Sequence, residues 1–562
     1  VNKVTISREH TVLAFAGEEW NRLLDWSERH AGRMRAAGID RADAPEQVWI
    51  GTWDDLKDWR PDLAQAAGCG QSRYSDDFVV LRTRHGLVLS GKSERATLYA
   101  VYEYAREQWG LGWVYPGEAP AVLGPAAWQE SRGADAQGAG SREASAPVRI
   151  RAYSPRLERR GFVFETINEP DYLKAMVDWL AKNRVNELFF TFSLWDQVGG
   201  ELAPEIAKRG ISVTLGGHSL MFFLEKGRDR YPNQTAAHPY TAKAQVDFKD
   251  AVWQELLLRD MIAYCRDVSN LSRISLWPED KAADKEGFLN AYLRFTEKLD
   301  AGLREAGLPV CVEHIAYNAG LAWGMLERRD AEPSRDVHTL WAYWGRDYRY
   351  GYEDSPHESD RRAKRALLEW ADTTGQTGRE LTIFEYYSDH FMLSRLFPFM
   401  PRRIMEDVAF YEQLQVHGIV DLVVPYRGED PYPWRWVHGF NSYVFCRALW
   451  SDDLEGILRD YYAYYPAAER AGVRALFEEL EAQLGQITYW NIPLFPARVV
   501  DVDKAEATEE QKERITAALA GIQDAVRRAL QQAGLPLDNE AQRFGQHIVE
   551  LAGSLRSRWL AK

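Results

Sequence analysis

The chain has 562 residues and a formal net charge of −14, and this acidic balance argues against nucleic acid as a partner, because a protein that neutralises phosphates needs a basic surface. A hydrophobic content of 46% and a charged content of 27% belong to an ordered globular chain and exclude a disordered or fibrous whole. No apolar run approaches the ~18 residues of a membrane span, and the first residues mix Lys3, Arg8, Glu9 and His10 with apolar ones, so a cytoplasmic protein without a membrane partner is expected.

Residues 1–130 alternate β-like runs (12–15, 48–51, 78–82 and 86–90) with helical ones (18–37 and 95–109), which predicts a small α/β domain. Residues 131–147, SRGADAQGAGSREASAP, are rich in Ala, Gly and Ser without apolar periodicity and read as a linker. From 148 to 440 short apolar runs alternate with amphipathic helical stretches. The runs are 159–165, 185–192, 211–217, 274–280, 310–318, 338–344, 381–387 and 419–427. Their number and span, close to the ~250 residues such a fold needs, predict a (β/α)₈ TIM barrel. Residues 441–562 carry only helical patterns and predict a C-terminal helical region. Cys69, Cys265, Cys311 and Cys446 are too scattered for a zinc motif and read as reduced thiols. Trp is unusually frequent, at 21 residues. Each indole is either core or a flat surface for the apolar face of a pyranose.

In a barrel the catalytic groups gather where the strands end. The predicted strand ends offer Arg159 and Arg160, then Trp195 and Asp196, His218, and Trp277 with Glu279 and Asp280. They continue with Glu313, His314, Tyr317 and Asn318, then Tyr343, Trp344 and Arg346, and then Glu385, Tyr386, Tyr387 and Asp389. The last brings Tyr426, Arg427, Glu429, Trp434 and Trp436. Carboxylates, arginines and aromatics at one mouth suit glycoside hydrolysis, in which one carboxyl protonates the leaving oxygen and a second carboxylate, or an acetamido group it holds, meets the anomeric centre. No phosphate-binding GxxxxGK[ST] and no HExxH occurs, so the expectation is a glycan substrate handled without metal or other cofactor.

The candidate catalytic residues are Glu279, Asp280 and Glu385, and the candidate sugar contacts are Arg160, Trp195, His218, Trp277, Tyr317, Trp344, Tyr386, Arg427 and Trp434. Each has a plainer alternative. Glu279 and Asp280 could be the acidic start of a helix, and Arg160 could pair with a structural carboxylate. Glu385 interrupts the apolar run IFEYY, where an unpaired charge costs several kcal/mol. It is expected to face the mouth as an acid, or else to hold Arg160 or Arg427 against the sugar.

The segment SGKSERATLYAVYEYAREQWGLGWVYPGE (90–118) resembles the end of the N-terminal domain shared by family 20 hexosaminidases and family 67 α-glucuronidases. The barrel and tail resemble the former domain-of-unknown-function family 4838. The matching segments are GGHS (216–219), PED (278–280), IAYN (315–318), PRRIMEDVAFYEQLQVHGI (401–419) and YVFCRALWSDD (443–453). Part of that family is glycoside hydrolase family 163, endo-acting β-N-acetylglucosaminidases on N-glycans. The resemblance implies that Arg160, followed by Gly161, holds sugar hydroxyls as the hexosaminidase Arg-Gly does. It also implies that Glu279 and Asp280 stand where family 20 has Asp then Glu, here in reverse order, and that Glu385 occupies the position of a glucuronidase-type base. The expected function is a glycosidase acting on β-linked, N-acetylated sugars with an acid and acetamido assistance. The alternatives are an α-glucuronidase-like inverting hydrolase with two carboxylates and a catalytically silent carbohydrate-binding protein.

Overall fold

A computed structural model of the chain describes residues 3–8, 10–39, 45–83, 86–123, 149–226, 248–278, 287–318, 323–327, 334–424, 437–487 and 497–562. The predicted linker falls outside them. The N-terminal unit is a mixed five-stranded sheet in the order Lys3–Ile6, Gln47–Thr52, Gly86–Gly91, Phe78–Thr83, Arg149–Tyr153. Its last strand follows the linker stretch and pairs antiparallel with Phe78–Thr83. The helices Thr11–Arg29 and Glu94–Trp109 pack against the sheet, and Trp53–Trp59 with Pro61–Ala66 contributes to a second small core around Trp49, Leu56 and Leu81. The run 12–15, expected as a strand, is the first turn of the helix Thr11–Arg29, which buries Val12, Leu13, Phe15, Ala16 and Trp20. Four apolar residues in a row fit either structure, and the helical spacing of the residues after them decides.

Eight parallel strands close into a barrel. They are strand 1 (Arg159–Phe164), strand 2 (Glu187–Thr191), strand 3 (Ser212–Gly217), strand 4 (Leu271–Leu276), strand 5 (Cys311–Tyr317), strand 6 (His338–Ala342), strand 7 (Leu381–Asp389) and strand 8 (Gly418–Val424). Strand 8 closes on strand 1, with Gly418 beside Arg159 and Val423 beside Phe164. The crossover helices are amphipathic; Pro170–Lys182, for example, buries Leu173, Met176, Val177 and Leu180. The base of the barrel is charged rather than filled by branched apolar residues. Arg159 donates to Glu187 at 2.6 and 2.8 Å, to Glu313 at 2.6 Å and to Thr382 at 3.1 Å, all inside the barrel. Arg273 extends the layer to Glu380 at 2.7 Å.

Arg160 points the other way. It is fully buried, donates to the carbonyls of Leu157 (2.9 Å), Glu158 (2.6 Å) and Arg184 (3.2 Å), pairs with Asp76 of the N-terminal unit and lies over the Trp450 ring. Asp76 also binds Arg95 and Asn186. Burial alone would raise the Asp76 carboxyl, but Arg95 and Arg160 together hold it down at about 2. The helix Val437–Ala448 follows strand 8. Leu454–Tyr462, Arg470–Gly485, Glu509–Ala533 and Glu540–Ala561 then form the C-terminal helical region, with a Thr508–Gln511 capping box starting its longest helix.

Candidate active site

Side chains of a barrel strand alternate between the interior and the helix layer. The base fixes the parity. Arg159 is interior, so Gly161, Val163 and then Glu165 follow it inward. Register carries the same face to Glu313, Ile315 and Tyr317 on strand 5, to Ala342 on strand 6, and to Phe384 and Tyr386 on strand 7.

Trp277, just past strand 4, floors the mouth. Its ring lies 5.3 Å from those of Phe189 and Phe384, and its indole N–H donates to Ser275 Oγ at 3.0 Å. Gly216 lets strand 3 come this close, because a Cβ there would lie 1.7 Å from the Ser275 carbonyl oxygen. His218 stands edge-on to Trp277 at 5.3 Å, exposed, with Nδ1 3.0 Å from the Pro278 carbonyl. Above this floor Tyr386 lies near Tyr317 and near two carboxyl groups of the mouth. One is Glu165, whose Oε1 reaches to within 3.6 Å of the point where a Gly217 side chain would begin. The other is Asp389, the last residue of strand 7, brought to the rim by a register shift between Glu385 and Ser388. Asp389 Oδ1 accepts from the amides of Phe391 (2.8 Å) and Met392 (3.2 Å). Burial pushes its carboxyl up to about 7 against those two amides, and the nearby Glu165 charge adds to the rise.

Beside Asp389 lies an aromatic surface. Trp344 and Phe391 stack at 6.4 Å and 11°, with Phe391 59% exposed. Asn318 fixes this surface from just past strand 5, since its side chain accepts from the Trp344 amide and donates to the Trp344 carbonyl, both at 2.8 Å. Arg498 of the C-terminal region donates to the Phe391 carbonyl at 2.8 Å.

Glu385 is not in the mouth. Odd-numbered side chains of this part of strand 7 face the helix layer, where Glu385 accepts from Tyr348 Oη at 2.7 Å and from Tyr411, with Arg346 at 3.5 Å. Arg346 is itself bidentate to Asp407 at 2.8 Å and sits over the Tyr352 ring. The arginine that Glu385 meets is therefore Arg346, and the pair lies behind the barrel wall. Burial pushes the Glu385 carboxyl up to about 7 despite Arg346. A raised carboxyl holds its proton in the fold over a range where the unfolded chain has lost it, so its contribution to stability is lost as pH rises from about 4.5 towards 7. Urea unfolding is expected to register this as ~1.4 kcal/mol per pH unit, a component that Glu385→Gln should remove. An unchanged pH slope in the variant would refute the protonated state.

Two other expected contacts are displaced. Arg160 begins strand 1 rather than ending it, so it lies at the base, clamped to Asp76. Trp195 lies one turn into the helix Phe192–Ala207, buried against Phe190 on the outside of the wall. His218, Trp277, Tyr317, Trp344 and Tyr386 are at the mouth. Glu279, Asp280, Arg427 and Trp434 lie outside the described residues. Glu165 and Phe391 were missed by the sequence reading. The signal for Glu165 was its place at the end of the first run, RRGFVFE. Among the described residues no three His, Cys, Asp or Glu side chains converge as a metal site requires.

No family model and no curated protein matches the chain. Several solved structures are similar to the chain at low identity. CpGH84D is 10% identical, with a TM-score of 0.49 over 99% of this chain and 89% of its own. Dispersin B is 10% identical, with a TM-score of 0.34 over 52% of this chain and 98% of its own. PbGH5A, a glycoside hydrolase family 5 enzyme from Prevotella bryantii B14, is 12% identical, with a TM-score of 0.34 over 53% and 99%. At such identities and TM-scores these likenesses assign this chain neither an activity nor a substrate, and the (β/α)₈ architecture rests on its own closed ring of eight parallel strands.

Proposed function

We propose that the protein is a glycoside hydrolase that cleaves β-linked, N-acetylated sugars. The observation that carries the proposal is the pairing at one mouth of the Trp344–Phe391 surface with the Asp389 carboxyl, buried and pushed up to about 7. A flat aromatic surface packs against the apolar face of a pyranose. A carboxyl still protonated near neutral pH can deliver a proton to the glycosidic oxygen as the bond breaks. In this reading Asp389 is the acid, and Glu279 and Asp280 steer the acetamido group. The N-acetylated substrate rests on the resemblance of PED at 278–280 to family 4838.

A panel of nitrophenyl glycosides tests the proposal. Turnover of the β-N-acetylglucosaminide above the other members supports it, whereas binding of glycans without turnover of any member would make the protein a carbohydrate-binding module. The presence of Glu165 near Asp389 favours a second reading, an inverting hydrolase with two carboxylates and no role for the acetamido group. Inhibition by a thiazoline-type acetamido mimic supports the first reading. Inverted product configuration together with resistance to that mimic supports the second.

Trp344→Ala is expected to raise KM about tenfold, the equivalent of ~1.4 kcal/mol of lost contact, while leaving kcat within a small factor. A variant with unchanged KM would remove Trp344 from the binding surface.

A further inference from the structure

A cavity of about 290 Å³ lies where the end of the N-terminal unit, the helices Pro170–Lys182 and Val437–Ala448, and the C-terminal helical region meet. None of its lining residues belongs to the mouth. Four of its walls are aromatic: Tyr115, Tyr172, Trp179 and Tyr464. The rings of Tyr115 and Tyr464 stand 4.8 Å apart at 80°, edge against face in one corner. The Trp179 ring is held in place by its indole N–H, which donates to the Trp113 carbonyl at 2.9 Å.

Two exposed carboxylates, Glu118 and Glu540, line it as well, together with Pro116, Met176, Gly439 and Ser442. Among the described residues neither has a cationic partner. Glu540 opens the helix Glu540–Ala561, where the helix dipole suits a negative charge. Glu118 lies in the loop after Pro116 and has no such compensation. Both bear on the Tyr464 phenol, which burial first and then these two charges push up to about 12. Electron-rich rings and two carboxylates around one small space favour a positive guest, and the apolar walls favour one whose charge is wrapped in carbon.

We propose that this cavity binds a small organic ammonium ion of the quaternary, choline-like class. An inorganic cation would have to exchange its hydration shell for ring faces, whereas an alkylated ammonium fills the cage with methyl groups and keeps its charge within reach of both acids. The ligand would touch all three parts of the chain at once. The inference stands apart from the glycosidase reading, because it uses none of the same residues.

Titration calorimetry on the full chain with choline, against its neutral carbon isostere 3,3-dimethylbutan-1-ol, tests it. Saturable choline binding, with the isostere weaker by roughly tenfold or more, is the expected result. The double variant Glu118→Gln/Glu540→Gln, which alters two exposed side chains, should fold normally and lose choline affinity by a similar factor. No saturable heat with choline at millimolar concentration overturns the proposal. So does equal binding of the isostere, or unchanged choline affinity in the double variant.

Discussion

Asp389→Asn is expected to lower kcat/KM on natural glycans and on aryl glycosides with poor leaving groups by ~10²–10⁴-fold, the usual contribution of a positioned acid. Substrates with good leaving groups should be largely spared, because they depart without protonation. The substitution keeps an oxygen where Oδ1 accepts the Phe391 and Met392 amides, so the short helix His390–Leu393 stays capped and the loss is one of chemistry rather than of fold. The pH–rate profile should lose its basic limb near 7, to which burial pushes the wild-type carboxyl up. Equal losses on all substrates with an unaltered profile would take the acid role away from Asp389.

The second large effect lies at the opposite end of the barrel. Arg159→Met should cost about 3–5 kcal/mol in denaturant unfolding, because it leaves Glu187 wholly without its cationic partner and Glu313 with the longer 3.4 Å contact to Arg273 and a hydrogen bond from Ser275, both carboxylates being buried. Adding Glu187→Gln should recover part of the loss, since a neutral amide is cheaper to bury than an orphaned carboxylate. A loss below ~1 kcal/mol in the single variant, the scale of an exposed ion pair, would show that the base layer is solvated.

The eight strands were legible because each is a short apolar run bounded by helical spacing, and the mouth aromatics Trp277, Tyr317, Trp344 and Tyr386 followed from that framework. What failed was direction and parity. Arg159 and Arg160 were assigned to the end of strand 1, although a strand that starts on them ends at Phe164, with Glu165 just beyond. Glu385 was assigned to the mouth, although one residue of alternation separates the interior Tyr386 from a side chain behind the wall. Parity becomes fixed only through pairing with neighbouring strands, and the register shift that brings Asp389 to the rim is a property of the pairing between strands 7 and 8 that no single run encodes. Trp195 looked like a rim residue because the end of strand 2 was known, but one turn of helix rotates it onto the outside of the barrel.

The burial of Arg160 against Asp76 bears on how the molecule can be divided. A barrel expressed without the N-terminal unit would leave the Arg160 guanidinium uncovered and without its anion, and the isolated unit would keep a carboxylate with one arginine instead of two. Each half carries a defect that only the other repairs. The two are therefore expected to lose their structure together rather than in succession, and a gene fragment encoding either one is expected to be a poor module for recombination. The ion pair that joins them works alongside the Arg184–Glu103 pair and the Tyr99 hydroxyl on the Val185 carbonyl.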